Sequence, residues 1–148
     1  MDYLVYKYKF KLKGTGHISF HIRCDFFHES NVVLCFSPCK YIDKMVQTYM
    51  TMFGKNPKLH YSVRSPLEQG DHPYLDTSEL LDNEDTQKYQ SLIGSFQWDI
   101  YLGRFNISTT VMILSRFRSA SRQAHIDWVK SIYAYMDKMS TACIQLRK

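Results

Sequence analysis

The chain has 148 residues, 45% hydrophobic and 22% charged, with a formal net charge of +5. This is ordinary globular composition for one modest core, arranged as one domain or two small lobes. No run approaches the roughly eighteen apolar residues of a membrane span, and the opening MDYLVYKYKFKLK alternates lysine with apolar residues where a secretory signal would be continuously apolar. An intracellular protein of cytoplasm or nucleus is expected, without a membrane partner. The four cysteines, Cys24, Cys35, Cys39 and Cys143, contain no CxxC pair and read as reduced thiols. His17, His21 and Cys24 come close in sequence, but they fall on an alternating stretch whose spacing matches no zinc module, so no metal site is expected.

The charge is segregated. Residues 1 to 64 carry a net +6, residues 65 to 100 a net −7 and residues 101 to 148 a net +6. Two basic lobes around an acidic linker suit a polyanion held between them, and equally suit a solvated charged surface.

In chain order, residues 4 to 12 (LVYKYKFKL), 18 to 27 (ISFHIRCDFF) and 32 to 36 (VVLCF) read as strands of a short antiparallel meander, separated by turn residues. Ser37 is expected to cap a helix with Pro38 at its first position. Tyr41, Ile42, Met45, Val46, Tyr49, Met52 and Phe53 then recur at helical spacing until Gly54, with Pro57 beyond. From 55 to 84 no period holds, while prolines and acids accumulate. Three helices follow: 85 to 102, 107 to 118 with Asn106 as cap, and 122 to 139 with Ser121 as cap. Residues 142 to 147 read weakly as a strand. The expected class is α+β: a β-meander with one helix over 1 to 54, an acidic extended linker over 55 to 84, a three-helix bundle over 85 to 139, and a tail over 140 to 148. The predicted bundle core is Leu92, Ile93, Phe96, Val111, Leu114, Ile126, Val129 and Tyr133.

The first bundle helix contains YQSLIGSFQWDIYL. At about 100° per residue, Tyr89, Leu92, Ile93, Phe96 and Ile100 share one direction and form a core face. Gln90, Gly94, Gln97, Trp98 and Tyr101 form a second face of amides, bare backbone and aromatic rings with no acid or base. Such a face suits the minor groove of a nucleic-acid duplex, where amides bond to base-edge and sugar acceptors, glycine permits close approach and rings lie against sugars. Packing against another helix, with Gly94 as the contact point, is the usual fate of a Gly/Trp helix face and is the competing reading. Arg104, Arg116, Arg118 and Arg122, close in sequence, are candidates for the flanking phosphates.

YQSLIGSFQW resembles the first thumb helix of retroviral reverse transcriptases, with Gln90, Gly94 and Trp98 on the family's glutamine, glycine and tryptophan. More widely, the chain is similar to copia-type retrotransposon reverse transcriptases. Tyr89, Leu92, Ile93, Gly94, Arg104, Ile107 and Arg122-Gln123-Ala124-His125 fall on that family's pattern. So do KLKGTGHISFHIRCDFF, the Ser37, Lys40 and Tyr41 helix start, and the SPL at 65 to 67. The resemblance implies that residues 85 to 139 are thumb-like and contact a template:primer duplex, RNA:DNA or DNA. It also implies that the hairpin with Phe20, His21, Ile22, Arg23, Cys24 and Asp25 is primer-grip-like. Three positions depart: Arg23 stands where the family commonly has glycine, Phe105-Asn106 replace Pro-Asp, and Ser121 replaces proline.

Polymerisation in that family needs the aspartate pair of a YxDD turn and a third carboxylate, which together hold two Mg²⁺ ions. This chain has no Asp-Asp dipeptide, and Asp25 and Glu29 lie in or beside the hairpin. The expectation is a template:primer-binding part of an RNA-directed DNA polymerase, with no catalytic residues and no cofactor of its own, whose partner besides the duplex is the rest of the polymerase. Two other readings stay open. One is a small non-enzymatic adaptor using the Gly94/Trp98 face and the Met45, Met50 and Met52 helix, and the other is a relic reading frame. A hydrolase built from Asp71-His72 with Ser65 or Ser78 lacks a nucleophile elbow.

Overall fold

The structure is a computed structural model that describes residues 19–30, 33–54, 62–68 and 70–147. The strand expected over 4 to 12, His17 and Pro57 lie outside the described residues.

The stretch read as one strand over 18 to 27 is a hairpin. β1 (Phe20–His21) and β2 (Cys24–Ser30) pair antiparallel, with Phe20 opposite Asp25 and His21 opposite Cys24. The two residues between them, Ile22 and Arg23, have φ of 47° and 64°. Left-handed backbone at both central positions matches the right-handed twist of the strands and lets the chain reverse in two residues. Alternating hydrophobicity hid this, because neither residue is the glycine, asparagine or aspartate that announces such a turn. Glycine adopts this backbone freely, which is a physical reason for glycine at the position Arg23 occupies here.

β3 (Val33–Ser37) pairs with β2 from Asp25↔Ser37 to Ser30↔Val33, with a register shift between His28 and Ser30. β4 (Ile144–Arg147) pairs with the other edge of β3, Phe36 opposite Ile144, so the sheet order is β1-β2-β3-β4. The weak C-terminal strand is therefore present, and it joins the ends of the described chain in one sheet.

α1 (Cys39–Met52) buries Ile42, Met45 and Tyr49 and is followed by Gly54 at φ 82°. Pro38, not Ser37, occupies its N-cap position. Ser37 is buried at the end of β3, where its hydroxyl donates to the Ala142 carbonyl at 2.7 Å and accepts the Cys39 thiol at 3.1 Å.

α2 (Asn83–Tyr101) begins at Asp82, whose carboxylate accepts the Asp85 amide at 2.8 Å, with Glu84 and Asp85 favourably placed in the first turn. It ends in a Schellman motif: the Gly103 amide reaches the Ile100 carbonyl at 3.0 Å and the Arg104 amide reaches the Asp99 carbonyl at 3.1 Å. Gly103 has φ 102°, and a Cβ there would lie 2.6 Å from Ile144 Cδ1. Glycine is thus required both by the turn and by the close approach of β4.

A 3-10 turn over Phe105–Ile107 leads into α3 (Ser108–Ser115), and α4 is Gln123–Lys138. Neither expected cap is used. Asn106 spends its amide on the Tyr135 hydroxyl at 3.0 Å, and Ser121 is buried with its hydroxyl facing Thr86 at 3.4 Å. The acidic segment caps α4 from outside: Ser78 Oγ accepts the Ala124 amide at 3.2 Å and the Glu79 carbonyl accepts the Gln123 amide at 3.0 Å. α3 is shorter than expected because residues 116 to 119 turn back over α2.

All eight predicted bundle-core residues are buried, and α1 adds Ile42, Met45 and Tyr49 to the same cluster. Tyr133 is central, stacked on Tyr49 and tilted against Phe96, each at 4.6 Å between ring centroids. Tyr89 is wholly buried, and its hydroxyl donates to the Leu114 carbonyl at 2.7 Å, which satisfies the one polar atom that its burial brings inside.

Candidate nucleic-acid interface

α2 carries Gln90, Gly94, Gln97, Trp98 and Tyr101 on a face that flanks its core contacts, centred about 120° around the helix from them. No described residue comes within 4 Å of a Cβ built on Gly94, so its backbone faces open space. Trp98 is 43% exposed and Tyr101 83%, with ring centroids 6.5 Å apart. The competing expectation, helix packing with Gly94 as the contact point, finds no described atom within 4 Å of a Cβ at that position. The two glutamines are held: Gln90 Nε2 donates to the Arg118 carbonyl at 2.9 Å, and Gln97 Oε1 accepts from the Arg118 guanidinium at 3.1 Å. Arg118, on the turn after α3, therefore clips both amides in place and puts a positive charge beside them.

The four candidate arginines divide. Arg116 is exposed and Arg118 half-buried beside the face. Arg104 is only 3% exposed, with its guanidinium directed inward to the Met139 carbonyl at 2.9 Å and the Ala142 carbonyl at 3.3 Å. It cannot reach a phosphate from there. Arg122 is half-buried and donates to the Ser78 carbonyl, fastening the acidic segment to α4.

The hairpin residues separate similarly. Phe20, His21, Ile22 and Arg23 are exposed. Lys40 Nζ sits 5.1 Å from the Phe20 ring centroid and 2.5 Å from Asp25 Oδ1, while the Arg23 guanidinium lies 5.5 Å over Tyr41. Cys24 points the other way. It is buried, with its thiol toward the Leu102 carbonyl at 3.7 Å, and burial, then the nearby Asp99, pushes that thiol up. Cys24 thus ties the hairpin to the end of α2 and does not belong to its outer surface.

His125 is buried, its Nδ1 accepting the Arg122 amide at 3.1 Å and its Nε2 3.1 Å from the Pro73 carbonyl. It joins the acidic segment to α4. Ser65 and Ser78 are committed to the Leu67 carbonyl and the Asp76 carboxylate. Among the described residues no three His, Cys, Asp or Glu side chains are grouped to hold a metal ion. Met45 lies in the core, and Met50 and Met52 are half-buried against it.

Sequence reasoning missed the buried pair Asp99 and Arg104. The signal was present: at about 100° per residue Asp99 lies only about 20° from Leu92, on the edge of the core face. Burial pushes its carboxyl up to about 7, against the opposing pull of Arg104.

Compared with known protein families, with curated proteins and with solved structures, the chain finds no significant match. No described helix is long and apolar enough to cross a membrane.

Proposed function

We propose that the chain is a template:primer-binding element of a copia-type reverse transcriptase, gripping an RNA:DNA hybrid or A-like duplex through the open face of α2 and not polymerising on its own. The observation that supports this most is Gly94. A helix interior gives up about 1 kcal/mol by carrying glycine in place of alanine, and at Gly94 no described neighbour demands it. Close approach of an outside ligand explains the residue, and the flanking amides and rings are of the kind that lie along a minor groove. Arg116 and Arg118 supply the phosphate contacts, and Arg104 and Arg122 act inside the fold.

The test is fluorescence anisotropy with a labelled RNA:DNA hybrid. Binding is expected to be weak and salt-sensitive, falling about tenfold between about 50 and 200 mM salt if about two phosphates are neutralised. Trp98→Ala is expected to weaken it by roughly 1 to 3 kcal/mol. A primed RNA template with Mg²⁺ should show no nucleotide incorporation. Hybrid binding indifferent to salt and to Trp98 would favour the adaptor reading, in which the same face meets a protein.

A further inference from the structure

Where α2 ends, a carboxylate and a guanidinium are buried five residues apart in sequence without a hydrogen bond between them. Asp99 has no exposure, and among the described residues neither of its oxygens has a hydrogen-bond partner. Arg104 holds the Met139 and Ala142 carbonyls, directs its other terminal nitrogen to Met136 Sδ at 3.6 Å, and leaves Nε without a partner. Those carbonyls belong to the turn between α4 and β4. Ser37 grips the same turn at the Ala142 carbonyl, and Cys39 at the Ser140 carbonyl at 3.2 Å. Arg104 is therefore a charged clamp on the segment that delivers β4 to the sheet.

A carboxylate buried in this way either stays neutral or recruits a donor. We propose that Asp99 and Arg104 form a proton-controlled latch on the C-terminal strand. With Asp99 protonated, Arg104 stays on the Met139 and Ala142 carbonyls. When neutral Asp99 gives up its proton to solvent, the resulting carboxylate draws the guanidinium toward itself, which loosens the turn that seats β4. Asp99 interacts with Cys24 from β2, Tyr41 from α1 and Tyr133 from α4, and with Arg104, the single cation of the set. Tyr135 and Cys39 also interact with Arg104. Burial raises the Cys24 thiol and the Tyr41 and Tyr133 phenols, so these groups stay neutral while Asp99 changes state.

The carboxyl sits at about 7 in the fold, well above its ordinary value of 3.8. Because the folded value is the higher one, the stability it contributes is fully present below the unfolded value and is lost as pH rises through about 7. The latch closes in mild acid and opens in mild base.

The test is hydrogen exchange on the full chain, read as protection factors at about pH 5.5 and about pH 8.5, with the Asp99 carboxyl carbon followed by NMR across the same range. Protection at those β4 amides that bond to β3 is expected to fall about tenfold at the higher pH, while Leu92 and Val129 keep theirs. In Asp99→Asn the β4 protection should no longer depend on pH. The proposal is overturned by an Asp99 carboxyl that titrates below about pH 5, by β4 protection that stays constant while the carboxyl titrates, or by an equal loss in Asp99→Asn. The wild-type measurements decide the matter by themselves if that variant does not fold.

Discussion

Phe96 and Trp98 stand two residues apart on α2, and the fold treats them oppositely. Phe96 is fully buried against Tyr133, whereas Trp98 keeps 43% of its surface in solvent beside Tyr101 and an uncovered Gly94. The two faces do not differ simply as apolar and polar, since both carry aromatic rings. What separates them is that the first packs its ring against another helix, while the second leaves its rings partly in solvent. A soluble helix commonly spends its outer face on charge, and this one spends it on amides, a glycine and rings, a composition that favours contact with an outside surface.

The contrast can be broken most forcefully from the core side. Phe96→Ala should lower the unfolding free energy by about 3 to 5 kcal/mol in urea denaturation, the usual result of emptying a well-packed aromatic site. A loss under about 1 kcal/mol would mean that the bundle core is not the packed body described. Next comes Gly103, the turn at the end of the same helix. Gly103→Ala should lose about 1 to 2 kcal/mol, since φ 102° is unfavourable for alanine and the new methyl meets Ile144. Its effect should appear first as lost protection in β4.

Gly94→Ala should do the reverse and raise stability by up to about 1 kcal/mol, because alanine is the better helix former and the added methyl points into open space. A melting temperature that falls would expose an unseen packing partner. A loss of only about 1 kcal/mol in folding stability, well below that of Phe96→Ala, is expected at Trp98→Ala, whose ring keeps 43% of its surface in solvent. The same substitution should be costly in hybrid binding, and that separation of effects is the sharpest form of the comparison.

The core face of α2 was legible because helical periodicity repeats over nineteen residues, and the eight predicted core positions are all buried. The open face was legible for the same reason, as the remainder of the wheel. Single-residue geometry was not. The two-residue turn at Ile22–Arg23 carries no turn residue, and Ser37, Asn106 and Ser121, each a competent cap by type, are used by distant partners at Ala142, Tyr135 and Thr86. Arg104 shows the limit most clearly. Sequence proximity placed it with the other arginines, but the Schellman turn at Gly103 carries it inward to the Met139 and Ala142 carbonyls. Likewise, the acidic segment read as a linker caps α4 through Ser78 and Glu79, contacts between positions more than forty residues apart that no local pattern announces.

The most direct measurement of the central claim is Gly94→Leu, assayed on one preparation for both thermal unfolding and RNA:DNA hybrid affinity. The open face predicts a melting temperature equal to or above that of the parent, together with hybrid binding weakened by about tenfold or more as the leucine projects into the groove. A lowered melting temperature with unchanged affinity per folded molecule would contradict it, and would make Gly94 a packing contact within the protein.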